Sequence, residues 1–243
     1  MTGTLFNVAG ILAGGVAGLA GRKSLGVARE TLLKTVLGGL TVGCGLYLVW
    51  KSFNGPVLHC LKEFAAVLCG LALGKLTGQL LRLQKTSNRL GRFARDRIAA
   101  ARPDSPGRFG DGFAVCAVLF CAAPLGILGA IHDGLSGYLL PLAVKGAIDG
   151  FAAMSFVAIF GVGVLLSAVP VFVLQSTIAL LCARYARPFL EARDLVDPVN
   201  AAGGLLIFCV GAGIFDVVRV KKIEVTDYLP SLFFAPLLAH FLH

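Results

Sequence analysis

Long apolar runs separated by short polar or basic links organise this chain. From Gly150 to Ala183, 34 residues pass without a charge, whereas a helix needs about 20 residues to cross a hydrocarbon core of roughly 30 Å. That stretch therefore crosses a bilayer and returns. Spans are predicted at about 3–21, 35–50, 64–81, 111–131, 142–161, 163–183, 199–215 and 228–243. The fold class expected is all-α: a polytopic helical membrane protein of about eight transmembrane or half-membrane helices, in a single domain over residues 1–243.

Breakers and small residues refine the pattern. Gly10, Gly14, Gly18 and Gly21 in the first span, and Gly70, Gly74 and Gly78 in the third, recur at near-helical spacing, which lets helix backbones approach closely in lipid. Pro124 lies inside the fourth span, HDGLSGY follows it as a short turn, and Gly161, Gly163 and Ser167 bend the link between the fifth and sixth. Pro230 and Pro236 interrupt the last segment and predict a short or broken helix. TVLGGLTVGCG in the second span and NAAGGLLIFCVGAG in the seventh share a Gly-Gly-Leu followed by glycines. Five spans apart, the two would run in opposite directions, as inverted repeats do.

Charge sets the orientation. Fifteen of the 22 Lys and Arg fall in the links after spans one, three, five and seven, so the positive-inside rule puts those links in the cytoplasm and both termini outside. Eight of them lie in 82–108, where Leu83, Leu90, Phe93 and Ile98 suggest one apolar helical face. Residues 82–108 thus read as a basic cytoplasmic amphipathic segment resting on anionic headgroups. Lys75 is expected to snorkel, and RYARPFLEARDLVDP reads as a loop of balanced charge. Tyr47 and Trp50 mark an interface at the end of the second span.

Composition agrees with the pattern. Hydrophobic residues make up 57% of the chain, charged residues 14%, and mean hydropathy is +0.84, outside the range of soluble domains. Topology accounts for the net charge of +9, so no nucleic-acid partner is expected. The seven cysteines have no CxxC spacing and read as small apolar residues, so no metal or cofactor is expected. No basic segment precedes the first apolar run, which argues against a cleavable signal. No HExxH, GxSxG or Walker loop occurs, and the chain is not expected to be an enzyme.

The candidate chemistry lies in the spans. Lys145 and Asp149 are four apart on one helical face, about 6 Å along the axis. A charge at membrane depth is costly unless paired, hydrated or bound to cargo, so such a pair is a functional-site candidate. They could neutralise each other in one state and separate when a solute binds in another. Asp133, His132 and Asp111 stand at predicted membrane boundaries, where they could form an entrance to the same path. Asn7, Gln175, Asn200, Ser167 and Thr177 add neutral donors and acceptors inside spans, or join helices by hydrogen bonds.

The opening GTLFNVAGILAGGVAG, the run LFCAAPLGILGAIHDGLSGY, the KGAIDGFAA and GVGVLLSAVPVFVLQ segments, and the closing GGLLIF through IEVTDYLPSLFFAPLL resemble a bacterial membrane family. That family is domain of unknown function 554, the YqgA/YdfK-like proteins. The chain departs from its pattern at Ala123, Pro124 and Leu125, where Gly-Pro-Met is more frequent, and at Asp227, where Asn is more frequent. The resemblance implies a multi-pass bacterial inner-membrane protein and brings no substrate or catalytic residue with it. GTLFN alone is also similar to the GTLxxN stretch of small fluoride channels.

The leading expectation is an inner-membrane transporter or channel for a small polar or charged solute, its path lined by polar residues of the central helices. The alternative is a non-transport scaffold, sensor or partner subunit acting through the basic cytoplasmic helix. The glycine faces permit a homodimer.

Overall fold

The computed structural model describes residues 1–21, 26–53, 55–101, 108–214 and 224–242. The chain runs α1 (Thr2–Leu19), α2 (Val27–Ser52), α3 (Val57–Leu80), α4 (Leu83–Ala100), α5 (Arg108–Ala122), α6 (Pro124–Ser136), α7 (Leu140–Phe160), α8 (Gly163–Leu166), α9 (Ala168–Leu181), α10 (Arg187–Glu191), α11 (Val196–Ile214) and α12 (Ser231–Leu242). Among the described residues, seven helical stretches are long and apolar enough to cross a membrane, and the bent pair α5–α6 makes an eighth. The protein is a polytopic all-α membrane protein.

Glycines dictate how the helices pair. A Cβ on Gly14 would stand 1.9 Å from the Gly150 carbonyl oxygen, and Gly10 and Gly18 meet the backbones of Gly146 and Met154 in the same way. Because both sets ascend together, α1 and α7 run parallel with their backbones touching. Gly70, Gly74 and Gly78 of α3 meet Ala235, Ser231 and Asp227 in descending order, so α12 runs antiparallel to α3. Likewise Gly45 rests on Gly204 and Phe208, and Gly211 on Val42 and Gly38. The two segments of the sequence echo therefore pack directly on each other, antiparallel.

One apolar core joins α1, α5, α7, α8 and α9 through Ile11, Val115, Val157 and Val171. A second joins α2, α6, α7 and α11 through Leu48, Leu128, Val144 and Ile207. The helix α6 lies between these two assemblies.

Several links differ from the expectation. The basic link after the first span is largely helix: α2 begins at Val27, and Lys34 pairs with Glu30 at 2.7 Å on its exposed first turns. Helical hydrogen bonding does not stop at a membrane surface, and an i, i+4 acid-base pair supports the extra turns. The helix α3 begins at Val57 and takes in Lys62 and Glu63. The loop expected from Arg184 is a π-helical turn, Cys182–Ala186, followed by α10. Pro188 lacks an N–H, and the widened turn lets the chain carry it at the start of a helix. Asp216, Arg219, Lys221 and Lys222, like Arg22, Lys23, Arg102 and Asp104, lie outside the described residues.

The fourth span is broken. Ala123 adopts extended backbone, as a residue before proline prefers, and α6 restarts at Pro124 with a bend of 58° from α5. Gly161, with φ 72°, ends α7, and Gly163 sits against the Phe109 carbonyl, so the predicted bend occurs at those glycines. A 3-10 turn, Val225–Tyr228, precedes α12, which keeps Pro236 within it.

The basic helix α4 lies along α5. Ala94 is buried and Ser87, Gly91 and Ile98 are half-buried, whereas Leu90 and Phe93 are exposed. The protein-facing side thus centres on Ala94 and Ile98, which pack against the core shared by α5, α7 and α9, while Leu90 and Phe93 turn outward, so the four apolar residues do not form one buried face. Asp227 accepts a hydrogen bond from the Gln84 N–H at 2.7 Å, and the Thr226 N–H donates to Gln84 Oε1 at 3.2 Å. These bonds tie the start of α4 to the turn before α12. Lys75 is half-buried over the Tyr228 ring, 5.6 Å from its centroid.

Candidate functional site

The site is built where α7 passes the break between α5 and α6. Asp149 stands about 13 Å into a helix about 31 Å long, close to mid-depth. Lys145 is one turn earlier and donates from Nζ to Asp149 Oδ2. Both are buried, and Lys145 heads the fully buried side chains by volume.

Four neighbouring helices complete the enclosure. The last turn of α5 brings the Phe120 ring to 5.9 Å from Lys145 Nζ. From α6, Gly126 leaves room for the lysine: a Cβ there would come 2.8 Å from Lys145 Cε and 3.1 Å from Gln175 Nε2. From α1, Asn7 Nδ2 donates to Gln175 Oε1 on α9 at 3.1 Å, and the Asn7 side chain also hydrogen-bonds Asp149. Five helices thereby converge on one charge pair. Their distances along the chain, 168 residues in the case of Asn7 and Gln175, make this a tertiary rather than a local device.

Two buried polar groups in this region, a carboxamide oxygen and a hydroxyl, have no hydrogen-bond partner among the described residues. Asn7 Oδ1 and Thr4 Oγ1 are both fully buried in this state. A buried polar atom left without a partner costs about 1–3 kcal/mol, so its persistence calls for a physical explanation.

The other candidates are distributed around this centre. Asp133 sits at the start of α1, where Oδ2 accepts from the Gly3 N–H at 3.1 Å and lies 3.0 Å from the Met1 amino group. A Cβ on Gly3 would touch both Asp133 and Leu142, so this carboxylate borders the α1–α7 pair at the end where α7 begins. His132 points to the other side of α6: Nδ1 lies 3.2 Å from Asn200 Oδ1, and Nε2 presses on Gly203. It forms a separate buried contact between α6 and α11. Asp111 is at the opposite end of the molecule, paired with Arg97 of α4 at 2.5 Å. Beside it, Arg108 donates to the carbonyls of Ala158 and Ile159 at the end of α7. Ser167 bonds its own helix at Val164 O, and Thr177 is exposed.

Sequence reasoning overlooked Thr4, Phe120, Gly126 and Glu63. Thr4 precedes Asn7 by three residues and shares its helical face, a spacing that could have marked it. Glu63 is buried and lies 3.5 Å from His59, one turn earlier on α3. No sequence signal points to Phe120 or Gly126, because both act through the bend. Outside the spans, Tyr138 donates to the Cys44 carbonyl at 3.4 Å and stacks on Tyr47; burial pushes its phenol above the ordinary range.

Among known proteins, the chain is similar over its full length to the uncharacterised membrane protein YdfK of Bacillus subtilis. The two are 27% identical over 247 residues, covering 100% of this chain and 97% of the relative. It is also similar to the uncharacterised protein YqgA of Escherichia coli, 29% identical over 234 residues, covering 96% and 94%. No solved structure matches. The model of the family described as "Protein of unknown function (DUF554)" matches residues 2–240, and the chain belongs to that family.

Proposed function

We propose that this membrane protein is a transporter or channel for a small polar or charged solute, with Lys145 and Asp149 in its path. One observation carries this reading: a lysine-aspartate pair buried at mid-depth on α7, beside a span broken at Pro124. Ionisable groups inside a membrane are costly and typically mark solute or ion paths, and broken helices gather at transporter sites because they leave backbone groups for cargo. Asp133 and Thr4 border the wedge between α1 and α7 on the way in. A bacterial inner membrane suits a helical bundle, whereas outer-membrane spans are barrels. Lys85, Arg89, Arg92 and Arg95 on the exposed face of α4 then orient that face to the cytoplasm and its anionic headgroups.

Flux into liposomes reconstituted with the purified chain tests the reading. Lys145→Ala and Asp149→Ala should each abolish flux while the protein still elutes as the wild type does. Full flux in both variants refutes the path. A regulatory or docking role for α4 is the second reading, favoured by its exposed Leu90 and Phe93 beside the basic face. It predicts that replacing Lys85, Arg89, Arg92 and Arg95 together by Gln alters activity more than either α7 substitution does.

A further inference from the structure

One constraint orients the amides around Asp149. An ionised carboxylate only accepts hydrogen bonds, so the Asn7 side chain meets Asp149 through Nδ2, and the same nitrogen donates to Gln175 Oε1 at 3.1 Å. This turns Gln175 Nε2 away from Asn7 and towards α6. A Cβ built on Gly126 would lie 2.8 Å from Lys145 Cε and 3.1 Å from that nitrogen, so the end of the lysine and the amide converge on the first turn of α6. The amino end of a helix carries partial positive charge. Donors therefore gather at Gly126 with work left to do: Gln175 Nε2 has no described partner, and Lys145 spends one of its three N–H bonds, on Asp149.

The surroundings of the two charges decide what the pair exchanges for. Each member is buried and needs a counter-charge. A cation taking the place of Lys145 on Asp149 would strand the ammonium beside Gln175 Nε2 and the amino end of α6, with the Phe120 ring at 5.9 Å as its electron-rich neighbour and no carboxylate. An anion taking the place of Asp149 on Lys145 strands the carboxylate instead, and a carboxylate without a counter-ion in a low dielectric takes up a proton. The other titratable groups within electrostatic reach of Asp149 among the described residues are Cys116 and Cys121 of α5, which are neutral thiols at pH 7.

Building on the transport reading, we propose that the site carries a small monovalent anion together with one proton. Lys145 Nζ, Gln175 Nε2 and the first turn of α6 hold the anion, and the proton, drawn from water, forms an O–H bond on Asp149. The ion pair within α7 is thereby exchanged for a lysine–anion pair and a neutral carboxyl. No electron is transferred, the site has no net charge whether empty or loaded, and crossing is electroneutral.

The test is flux into liposomes that hold the full chain and a luminal pH dye. An inward gradient of chloride or nitrate should acidify the lumen, at a rate unchanged when K+ and valinomycin clamp the membrane potential. Asp149→Asn is neutral like the protonated side chain and, unlike alanine, keeps a hydrogen-bonding group beside Asn7. It should retain exchange of radioactive chloride and lose acidification, and the surviving exchange shows that the variant is assembled. Lys145→Gln should lose both. Gln175→Leu should raise the half-saturating chloride concentration by about tenfold or more, with elution as wild type. Asp149→Asn that acidifies as fast as wild type, or that elutes normally and loses exchange as well, overturns the place of the proton. Wild type that moves neither chloride nor nitrate overturns the anion assignment. Should that protein take up Na+ instead, and both alanine substitutions stop it, the path stands without the anion; flux that survives both refutes the path itself.

Discussion

Removing one member of the Lys145–Asp149 pair should cost far more than removing both. Lys145 is 2% exposed and Asp149 5%, so Lys145→Met leaves a carboxylate in the interior with only Asn7 as a described neutral partner. A buried pair broken on one side loses about 3–5 kcal/mol, whereas replacing both members with apolar residues of similar volume is neutral or stabilising by about 1–4 kcal/mol. The single variants should therefore unfold much earlier than wild type, and Lys145→Met/Asp149→Leu should unfold at or beyond it. The coupling energy of the cycle should reach several kcal/mol, well above that of exposed pairs. Detergent-denaturant titration of the purified protein measures this, followed by circular dichroism and by emission of Trp50, the sole tryptophan. The double variant must also be inactive in flux, since a pair that a drier core could replace is retained for what it binds. Single-variant costs below about 1 kcal/mol, the range of hydrated pairs, would refute the dry, mutually dependent geometry argued here.

Three further outcomes follow from the packing. Gly14→Leu should lower the melting temperature in detergent, because its Cβ would lie 1.9 Å from the Gly150 carbonyl and overpacking costs about 1–3 kcal/mol. Gly91→Ala has open space around its Cβ on α4 and should raise stability by about 0.5–1 kcal/mol, read in the same melt. Asp227→Ala removes the acceptor of the Gln84 N–H, a bond to a charged group of about 1.5–3 kcal/mol. Hydrogen exchange should quicken at the start of α4 and leave α7 unchanged.

Much of the span pattern was legible because hydropathy and helix length answer to the same bilayer. Lys145 and Asp149 were legible for a related reason: charges in an apolar run stand out, and a spacing of four fixes their common face. Asn7 and Gln175 were visible as polar residues, but their meeting was not, since which face of α1 turns to α9 depends on the glycine contacts with α7. Asp111 illustrates the same limit. Its position near a membrane boundary was readable, yet the choice between the two ends depended on how α5 lies along α4, where it meets Arg97. Charge marked the basic link before the second span but not its backbone: α2 begins at Val27, where the Glu30–Lys34 pair supports the extra turns. Pro188 was taken as a loop residue for want of a way to anticipate the π-helical turn before it.

The helix pairing also decides which walls of the site can move. Asn7, Lys145 and Asp149 belong to α1 and α7, whose backbones touch at Gly10, Gly14 and Gly18. Contacts without intervening side chains leave little room for sliding, so these three residues form the fixed side. Phe120, Gly126 and Gln175 belong to α5, α6 and α9, where the chain is interrupted at Pro124, Gly161 and Ser167. On the transport reading proposed above, access to Asp149 would open by displacement of the broken elements from the α1–α7 pair, and locking α6 to α7 across Gly129 and Leu142 should then stop flux in the liposome assay.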